Sequence, residues 1–204
     1  MSGGLSSGDV LLGSVNCQGW WLVVDGDEGP GRIVAGPFAD RADAVWAAGE
    51  CEPGAQPVFG YRRADGGLNR RPSPQEWSWL EHLAEQLDRL PDDWDTVITD
   101  DDPLTSLVVE VTAALAEAGL PMHDASGEGR ELGGACLTPE PSLSGIVVTW
   151  RQHDRMSVDQ VHGASADFVV QQVMNRALGD VLVARGFAVD GVPFGSGNVV
   201  RRAA

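Results

Sequence analysis

The residues best suited to chemistry lie between 153 and 167, where five histidine and aspartate side chains fall in a short stretch. They are His153, Asp154, Asp159, His162 and Asp167. Imidazole and carboxylate groups near a strand-to-helix turn can hold a divalent metal or act as a general acid and base. The pattern therefore makes His153, Asp154 and His162 candidate catalytic residues of a metal-assisted hydrolase.

Two histidine-aspartate pairs, His123-Asp124 and His153-Asp154, spell the HD pair of metal-dependent phosphohydrolases. That family holds the pair on helices together with further ligands, whereas here one pair follows a proline in a loop and the other ends a strand. The alternative interpretation is that these are polar loop residues that satisfy backbone groups. We favour this alternative, and we predict no catalytic residue, no metal and no cofactor.

Carboxylates are the other concentrated chemical group. The chain has 30 acidic and 14 basic residues and a net charge of −16. Segment 75–140 holds 16 of the acids and only two arginines, which makes its net charge −14, against −3 for 1–74 and +1 for 141–204. The candidate partner-binding residues in this segment are Asp92, Asp93, Asp95, Asp100, Asp101, Asp102, Glu81 and Glu85.

An acidic surface of this kind suits a non-enzymatic interaction or accessory protein that binds a basic protein partner. A narrower form is a DNA mimic, in which carboxylates along a helix imitate a row of phosphates and inhibit a nucleic-acid-binding protein. The competing interpretation is a solvated acidic surface that serves solubility. All three remain open, with the metal-assisted hydrolase as a further alternative.

Direct nucleic-acid binding would depend on four arginines, Arg62, Arg63, Arg70 and Arg71. The sequence pI is about 4.4, so phosphate repels the chain as a whole. We therefore do not predict direct binding of nucleic acid.

Composition sets broad limits on class and location. A chain of 204 residues can form one well-packed domain or two small ones. It has no apolar run of about 18 residues and no secretory signal pattern, which predicts a cytoplasmic protein without membrane association. Cys17, Cys51 and Cys136 form no CxxC pair, which favours reduced thiols. All the basic residues are arginine, which is typical of a GC-rich, actinobacterial genome.

The N-terminal part predicts a small β-β-α-β unit. Residues 1–16 are rich in Gly and Ser and predict a flexible tail. The elements expected after it are strands at 20–25, 32–36 and 56–63 and a helix that Asp40 caps, with Ala42, Val45 and Trp46 on its inner side. Tyr61 to Arg71 predicts a hairpin around Asp65-Gly66.

A linking helix from Pro74 to Leu90 completes the N-terminal unit, 17–90. Ser73, Pro74 and Glu76 form a capping-box pattern with proline at the first helical position. The stripe predicted to be buried is Trp77, Leu80, Leu83, Ala84, Leu87 and Leu90. Pro91 ends the helix and opens an acidic linker, 91–102, which we predict as the boundary between two units.

The C-terminal unit, 103–204, predicts α-β-β-α-β-β. Asp102 caps its first helix, with Pro103 at the first position. The apolar and β-branched run at 145–151 predicts a central strand. A long helix from near Ser165 follows, and Gly186 ends it; its predicted buried stripe is Val170, Val173, Met174, Ala177, Val181 and Ala184. The predicted fold class is α+β, with two small mixed units.

Two resemblances accompany these patterns. The run Gly36-Pro37-Phe38, followed by Arg41 and Ala44, resembles the strand-to-helix junction of SPOR domains, which bind denuded peptidoglycan through the sheet of a ferredoxin-like fold. This likeness covers 32–63. The chain as a whole also resembles small acidic proteins of unknown function on actinobacterial plasmids and phages, which implies an accessory role.

The chain contains seven tryptophans, and two pairs of them constrain the packing. Trp20 and Trp21 are adjacent on a strand, and Trp77 and Trp79 lie on different faces of a helix. At least one residue of each pair must point away from its local core. We expect these side chains either at the seam between the units or on a partner surface.

Overall fold

The structure is a computed structural model that describes residues 18–26, 29–91, 98–99, 101–125, 127, 132–157, 164–192 and 195–203. The chain has an α+β fold, as its sequence predicts, with two antiparallel four-stranded sheets. It divides into two compact units, Met1–Ser78 and Trp79–Ala204.

The first unit is a sheet with one helix against it. Its elements are β1 (Gln18–Gly26), β2 (Gly29–Phe38), α1 (Arg41–Ala48), β3 (Gln56–Arg62) and β4 (Leu68–Arg70). The strand order is β2-β1-β3-β4, and every pairing is antiparallel. Gly66, at a φ of 87°, lies in the turn between β3 and β4, where glycine adopts a left-handed conformation without strain. The predicted β-β-α-β order and the predicted hairpin are both confirmed.

Helix α1 faces the sheet with its small residues. Asp40 caps it as predicted, since its carboxylate accepts a hydrogen bond from the Asp43 N–H at 2.8 Å. The fully buried residue is Ala44, whereas Val45 is exposed and Trp46 is 71% exposed. Ala42 is exposed as well, so the prediction that Ala42, Val45 and Trp46 lie on the inner side is wrong. Trp20 and the other apolar residues of the sheet fill the space next to α1, so only alanines fit on the helix side.

Trp20 and Trp21 lie on opposite faces of β1, and both are buried. Trp20 packs edge-on against Phe59, with ring centroids 5.4 Å apart. The Trp21 indole N–H donates to the Gly60 carbonyl oxygen at 3.1 Å. Gly36 lies so close to the Trp21 ring that a Cβ there would come within 2.9 Å of it. Both faces of β1 are therefore packed.

Helix α2 (Pro74–Leu87) begins with the predicted capping box. The Ser73 N–H donates to the Glu76 carboxylate at 2.5 Å, and the Glu76 N–H donates to the Ser73 hydroxyl oxygen at 3.2 Å. The hydrogen bond from the Ser73 N–H, together with that from its hydroxyl, lowers the pKa of Glu76. The box therefore stabilises the ionised form of this carboxylate.

The second unit packs two further helices against the other sheet. Its elements are α3 (Pro103–Glu117), β5 (Gly134–Glu140), β6 (Gly145–Arg151), α4 (Ala164–Ala184), β7 (Phe187–Gly191) and β8 (Asn198–Arg202). The strand order is β5-β6-β8-β7, and every pairing is antiparallel. The predicted α-β-β-α-β-β order is confirmed, and the predicted central strand, β6, lies between two others.

Helix α3 and strand β6 supply much of the core of this unit. Ile146 and Val148 on β6 are fully buried. Asp102 caps α3 as predicted, since it accepts a hydrogen bond from the Leu104 N–H at 2.8 Å. The buried residues of α3 are Leu104, Leu107, Val108, Val111, Thr112, Ala114, Leu115 and Ala116. Such a wide buried face makes α3 an interior helix of this unit.

Helix α4 is rotated relative to the predicted phase. Its buried side carries Asn175, Leu178 and Leu182, whereas Val173 is 59% exposed. Ala184 is also exposed, so the prediction that Val173 and Ala184 belong to the buried stripe is wrong, whereas the other four members of the stripe are half-buried. The cause is a hydrogen bond between α4 and β6. Strand β6 extends past the end of its pairing with β8, and there the Trp150 N–H donates to the Asn175 side-chain oxygen at 2.7 Å. Gln171 similarly donates from its side-chain amide to the Trp150 carbonyl oxygen.

The two compact units divide inside α2, between Ser78 and Trp79, which is earlier than the predicted linker 91–102. Helix α2 ends at Leu87, three residues before the predicted Leu90. The end of the helix belongs to the second unit because Leu87, and Leu90 after it, pack in the core of that unit. The predicted flexible tail, 1–16, and most of the predicted linker lie outside the described residues.

Candidate interaction surface on helix α2

The solvent-facing side of α2 carries a row of carboxylates. Glu81 and Glu85 are four residues apart and lie on one face of the helix, and Asp88 follows in the turn after the helix ends at Leu87. Glu81 and Glu85 are exposed. The opposite face carries Trp79, Leu83, Gln86 and Leu87, which are half-buried or buried. Glu81 and Glu85, called the acidic row below, therefore point directly away from the core of the second unit.

A set of polar contacts fixes the helix in this rotation. The side-chain oxygen of Gln86, a buried residue, accepts a hydrogen bond from the Met122 N–H at 2.9 Å. The Arg89 carbonyl oxygen accepts one from the Ala125 N–H, also at 2.9 Å. The sequence pattern missed the role of Gln86 because a glutamine in a charged helix ordinarily faces solvent. Its only sequence signal was its position between Leu83 and Leu90.

The predicted buried stripe of α2 is only partly correct. Leu83 and Leu87 are half-buried and Leu90 is buried, as expected. Trp77, Leu80 and Ala84 are exposed, and Trp77 reaches 56%. Hydropathy alone placed the buried face too far toward these residues, since it could not count Gln86 as an inner residue.

The electrostatic setting of the acidic row differs from that of the carboxylates on α3. Glu85 lies 4.0 Å from the Nδ1 atom of His82, and no arginine of the described chain forms an ion pair with either residue of the row. Glu110 on α3, in contrast, accepts two hydrogen bonds from Arg202, at 2.7 and 3.0 Å. Glu117 is paired with Arg185. Within the described ranges, the carboxylates of the row are therefore not held by an arginine, in contrast to those of α3.

The structure describes only two of the six aspartates predicted to bind a partner near α3. Asp102 is the cap of α3, and Asp101 is exposed immediately before it. Asp92, Asp93, Asp95 and Asp100 lie outside the described residues, and their role stays a prediction. Of the predicted partner-binding residues that the structure describes, Glu81 and Glu85 are neighbours on one helix face.

The candidate hydrolase residues that the structure describes make local contacts. The His153 Nδ1 atom accepts a hydrogen bond from the Arg155 N–H at 3.1 Å. Asp154 is exposed and lies 3.5 Å from the Arg151 guanidinium. Asp167 accepts a hydrogen bond from Gln152 at 2.8 Å.

Asp159 and His162 lie outside the described residues. Among those described, no three His, Cys, Asp or Glu side chains are grouped so that they could hold a metal ion. The catalytic role of this region therefore stays a prediction.

The other histidine-aspartate pair, His123-Asp124, makes hydrogen bonds to the backbone around it. His123 is buried, and its Nδ1 atom lies 3.1 Å from the Leu132 carbonyl oxygen. Asp124 accepts a hydrogen bond from the Gly127 N–H at 2.6 Å. Both side chains therefore satisfy backbone groups, as the alternative interpretation predicts.

Carboxylates on a helix surface can bind cationic groups without any cofactor. Comparison with known proteins found no matching family model, no similar curated protein and no similar solved structure. Within the described ranges, no helix has the length and apolar character needed to cross a bilayer. The chemistry that the acidic row supports best is ion pairing with lysine or arginine.

Proposed function

We propose that this protein is a non-enzymatic interaction protein that binds a basic protein partner through the acidic row on α2. The observation that carries the proposal is that Glu81 and Glu85 are exposed on a helix whose opposite face is anchored by Gln86, and that no arginine of the described chain pairs with them. A fixed helix presents charges at a defined spacing, which a disordered acidic segment does not.

The distance between Glu81 and Glu85 determines the spacing of basic side chains that a partner needs. Two residues four apart on a helix are separated by about 6 Å along its axis. A partner with two lysine or arginine side chains at similar spacing can pair with both carboxylates. The acidic segment 91–102 follows α2 in the chain and adds its aspartates to the same electrostatic field.

The main effect of the acidic row is on the association rate. An exposed ion pair contributes only about 0 to 1 kcal/mol, because solvent and salt screen it. Complementary surface charges, in contrast, steer diffusing partners and raise the on-rate at low salt. A chain with a net charge of −16 therefore attracts basic partners before any contact forms.

The experiment compares two variants that remove the same amount of charge. The test variant is Glu81→Gln with Glu85→Gln on α2. The matched control is Asp43→Asn with Glu50→Gln on the first unit, where both side chains are exposed. A partner captured from a lysate of the source organism at about 0.05 M salt and released at about 0.5 M salt is used for on-rate measurements at several salt concentrations.

We expect the α2 variant to associate more slowly and with a flatter salt dependence, while the control behaves like the wild type. Equal on-rates and equal salt slopes for the two variants would overturn the acidic row as the recognition surface. Replacing all six aspartates of 91–102 by asparagine extends the test to that segment. The Asp102→Asn change within this set keeps the cap of α3, because asparagine caps a helix about as well as aspartate.

One further arm addresses DNA mimicry. A mimic occupies the phosphate-binding surface of its partner, so duplex DNA must compete with this protein for the partner. Loss of binding in excess duplex DNA would identify the partner site as a phosphate-binding surface. Unchanged binding would leave the broader interaction role and exclude mimicry.

A further inference from the structure

The outer face of α4 carries an unusual stripe. Val169, Val173, Arg176, Asp180 and Val183 are spaced alternately four and three residues apart, and we call them the valine seam. The three valines are 53%, 59% and 58% exposed, and both charged side chains are largely exposed. The seam lies opposite the buried face of α4, so the core of the second unit does not cover it.

Alternating four- and three-residue spacing is the pattern by which one helix packs along another. Valine is a weak helix former, and a solvent-facing helix position gives it nothing to pack against. The seam runs over 14 residue steps, about 21 Å of helix. This length fits a two-helix contact in which the valines are removed from water.

The charges in the middle of the seam identify the second helix. Within one chain Arg176 and Asp180 form an exposed ion pair at 3.7 Å. In an antiparallel pair of α4 helices centred at Leu178, Arg176 of each copy also faces Asp180 of the other. The same register places Val173 of each copy against Val183 of the other. From Val173 to Val183 the seam is thus complementary to itself, with two crossed ion pairs at the centre and an apolar layer on each side. Val169 lies beyond this paired segment in the same register.

A parallel arrangement does not have this property. It would place Arg176 against Arg176 and Asp180 against Asp180, and like charges in contact oppose association. Polar residues within a helical seam commonly fix register and orientation in this way. We propose that the second unit self-associates through α4 as an antiparallel, two-fold symmetric dimer. This proposal is independent of the acidic row on α2.

The first experiment measures the mass of the full chain by sedimentation equilibrium, from about 1 to about 300 μM at ~0.15 M salt, where the Debye length is about 8 Å. We expect the wild type to dimerise within this range. Val173→Ser should weaken the dimer at least tenfold. Val109→Ser is the matched control, since Val109 is exposed on α3, and it should behave like the wild type.

The second experiment tests the register by reversing charges. Arg176→Asp and Asp180→Arg should each weaken self-association, because each places four like charges at the centre of the seam. An equimolar mixture of the two variants should form a heterodimer, since the two acidic side chains of one chain then face the two arginines of the other. Only pairing between chains can produce this recovery. Circular dichroism confirms that each variant is folded.

The proposal is overturned if the wild type stays monomeric at the highest concentration, or if Val173→Ser and Val109→Ser behave alike. It is also overturned if the charge-reversed variants do not associate on mixing. A variant that does not fold is replaced by Val183→Ser, which changes the same apolar layer near the other end of the helix.

Discussion

Helices α2 and α3 have nearly the same sequence signals and very different roles. Each begins with a capping residue followed by proline, and each carries an apolar stripe and outward-facing carboxylates. Helix α3 buries eight of its residues, whereas within α2, which is described throughout, only Gln86 is buried. The carboxylates Glu110 and Glu117 on α3 are paired with arginines, whereas those of the acidic row on α2 pair with no arginine that the structure describes.

The comparison shows that acidic character on a helix does not by itself mark a recognition surface. On α3 the acids hold the helix to Arg185 and Arg202, which flank or lie in the sheet of the same unit. On α2, Glu76 belongs to the capping box, whereas Glu81 and Glu85 pair with no arginine of the described chain. Exposed carboxylates without an arginine partner in the described chain, on an anchored helix, are the feature on which the proposed recognition role of α2 rests.

The largest expected difference between the helices is in core packing. Leu115→Ala on α3 should lower the free energy of unfolding by about 2 to 5 kcal/mol, because Leu115 is fully buried. Leu80→Ala on α2 should change it by less than about 0.5 kcal/mol, because Leu80 is exposed. Urea unfolding of both variants measures the difference, and similar losses would remove the contrast between the two helices.

The second-largest expected loss of stability comes from removing the hydrogen bond by which Gln86 holds α2. Gln86→Met removes the acceptor for the buried Met122 N–H and should cost about 1 to 3 kcal/mol. Gln75→Met on the same helix is the control, since Gln75 is exposed and should tolerate the change. If the two substitutions cost the same, the Met122 hydrogen bond does not fix the rotation of α2.

The two caps should be of similar strength. Ser73→Ala and Asp102→Ala each remove a hydrogen bond to the first turn of a helix and should each cost about 1 kcal/mol. Asp102→Asn should be nearly neutral, since asparagine is an equally good cap. An unchanged unfolding midpoint for Ser73→Ala would mean that the capping box contributes nothing in solution.

The smallest expected difference in stability is between removing a carboxylate on α3 that is paired with arginine and removing one on α2 that has no arginine partner in the described chain. Glu110→Gln should cost about 0.2 to 1 kcal/mol at pH 7, as for an exposed ion pair, whereas Glu81→Gln should have no measurable effect on stability. The hydrogen bonds from Arg202 hold the pKa of Glu110 below its usual value. A carboxylate whose pKa is lowered in the folded state stabilises that state above its unfolded pKa, about 4.3, and this stabilisation is lost as the pH falls through the folded pKa.

The stability difference between wild type and Glu110→Gln should therefore shrink as the pH is lowered below about 4. Denaturant titrations at pH 7, 5 and 3.5 measure it. Arg202→Gln provides the control, because Glu110→Gln should add almost no cost in that background. A pH-independent difference would show that Arg202 is not the source of the stabilisation.

Much of the fold could be predicted because its signals are local. Each helix cap joins residues two or three positions apart, so Ser73, Asp40 and Asp102 could be identified from spacing alone. Glycines at positive φ, such as Gly66 and Gly186, end elements for reasons of backbone geometry within a few residues. The element order and the α+β class follow from these signals and from hydrophobic periodicity.

The rotation of the helices was decided by contacts distant in sequence. Gln86 faces inward because its acceptor atom meets the Met122 N–H, 36 residues away. Asn175 does so because it binds the Trp150 N–H, 25 residues away. Hydropathy treats both as outward-facing residues, so it placed Leu80 and Val173 in the core although both are exposed.

For the candidate site, too, some properties follow from the sequence and others from the tertiary structure. The concentration of acids in 75–140 is a property of the sequence and required no coordinates. The folded structure determines which of those acids form ion pairs with arginines. Arg202, for example, pairs with Glu110, which is 92 residues away in the sequence. Charge can be counted along a chain, but ion pairing is a matter of distance in space, and only the folded structure brings those groups together.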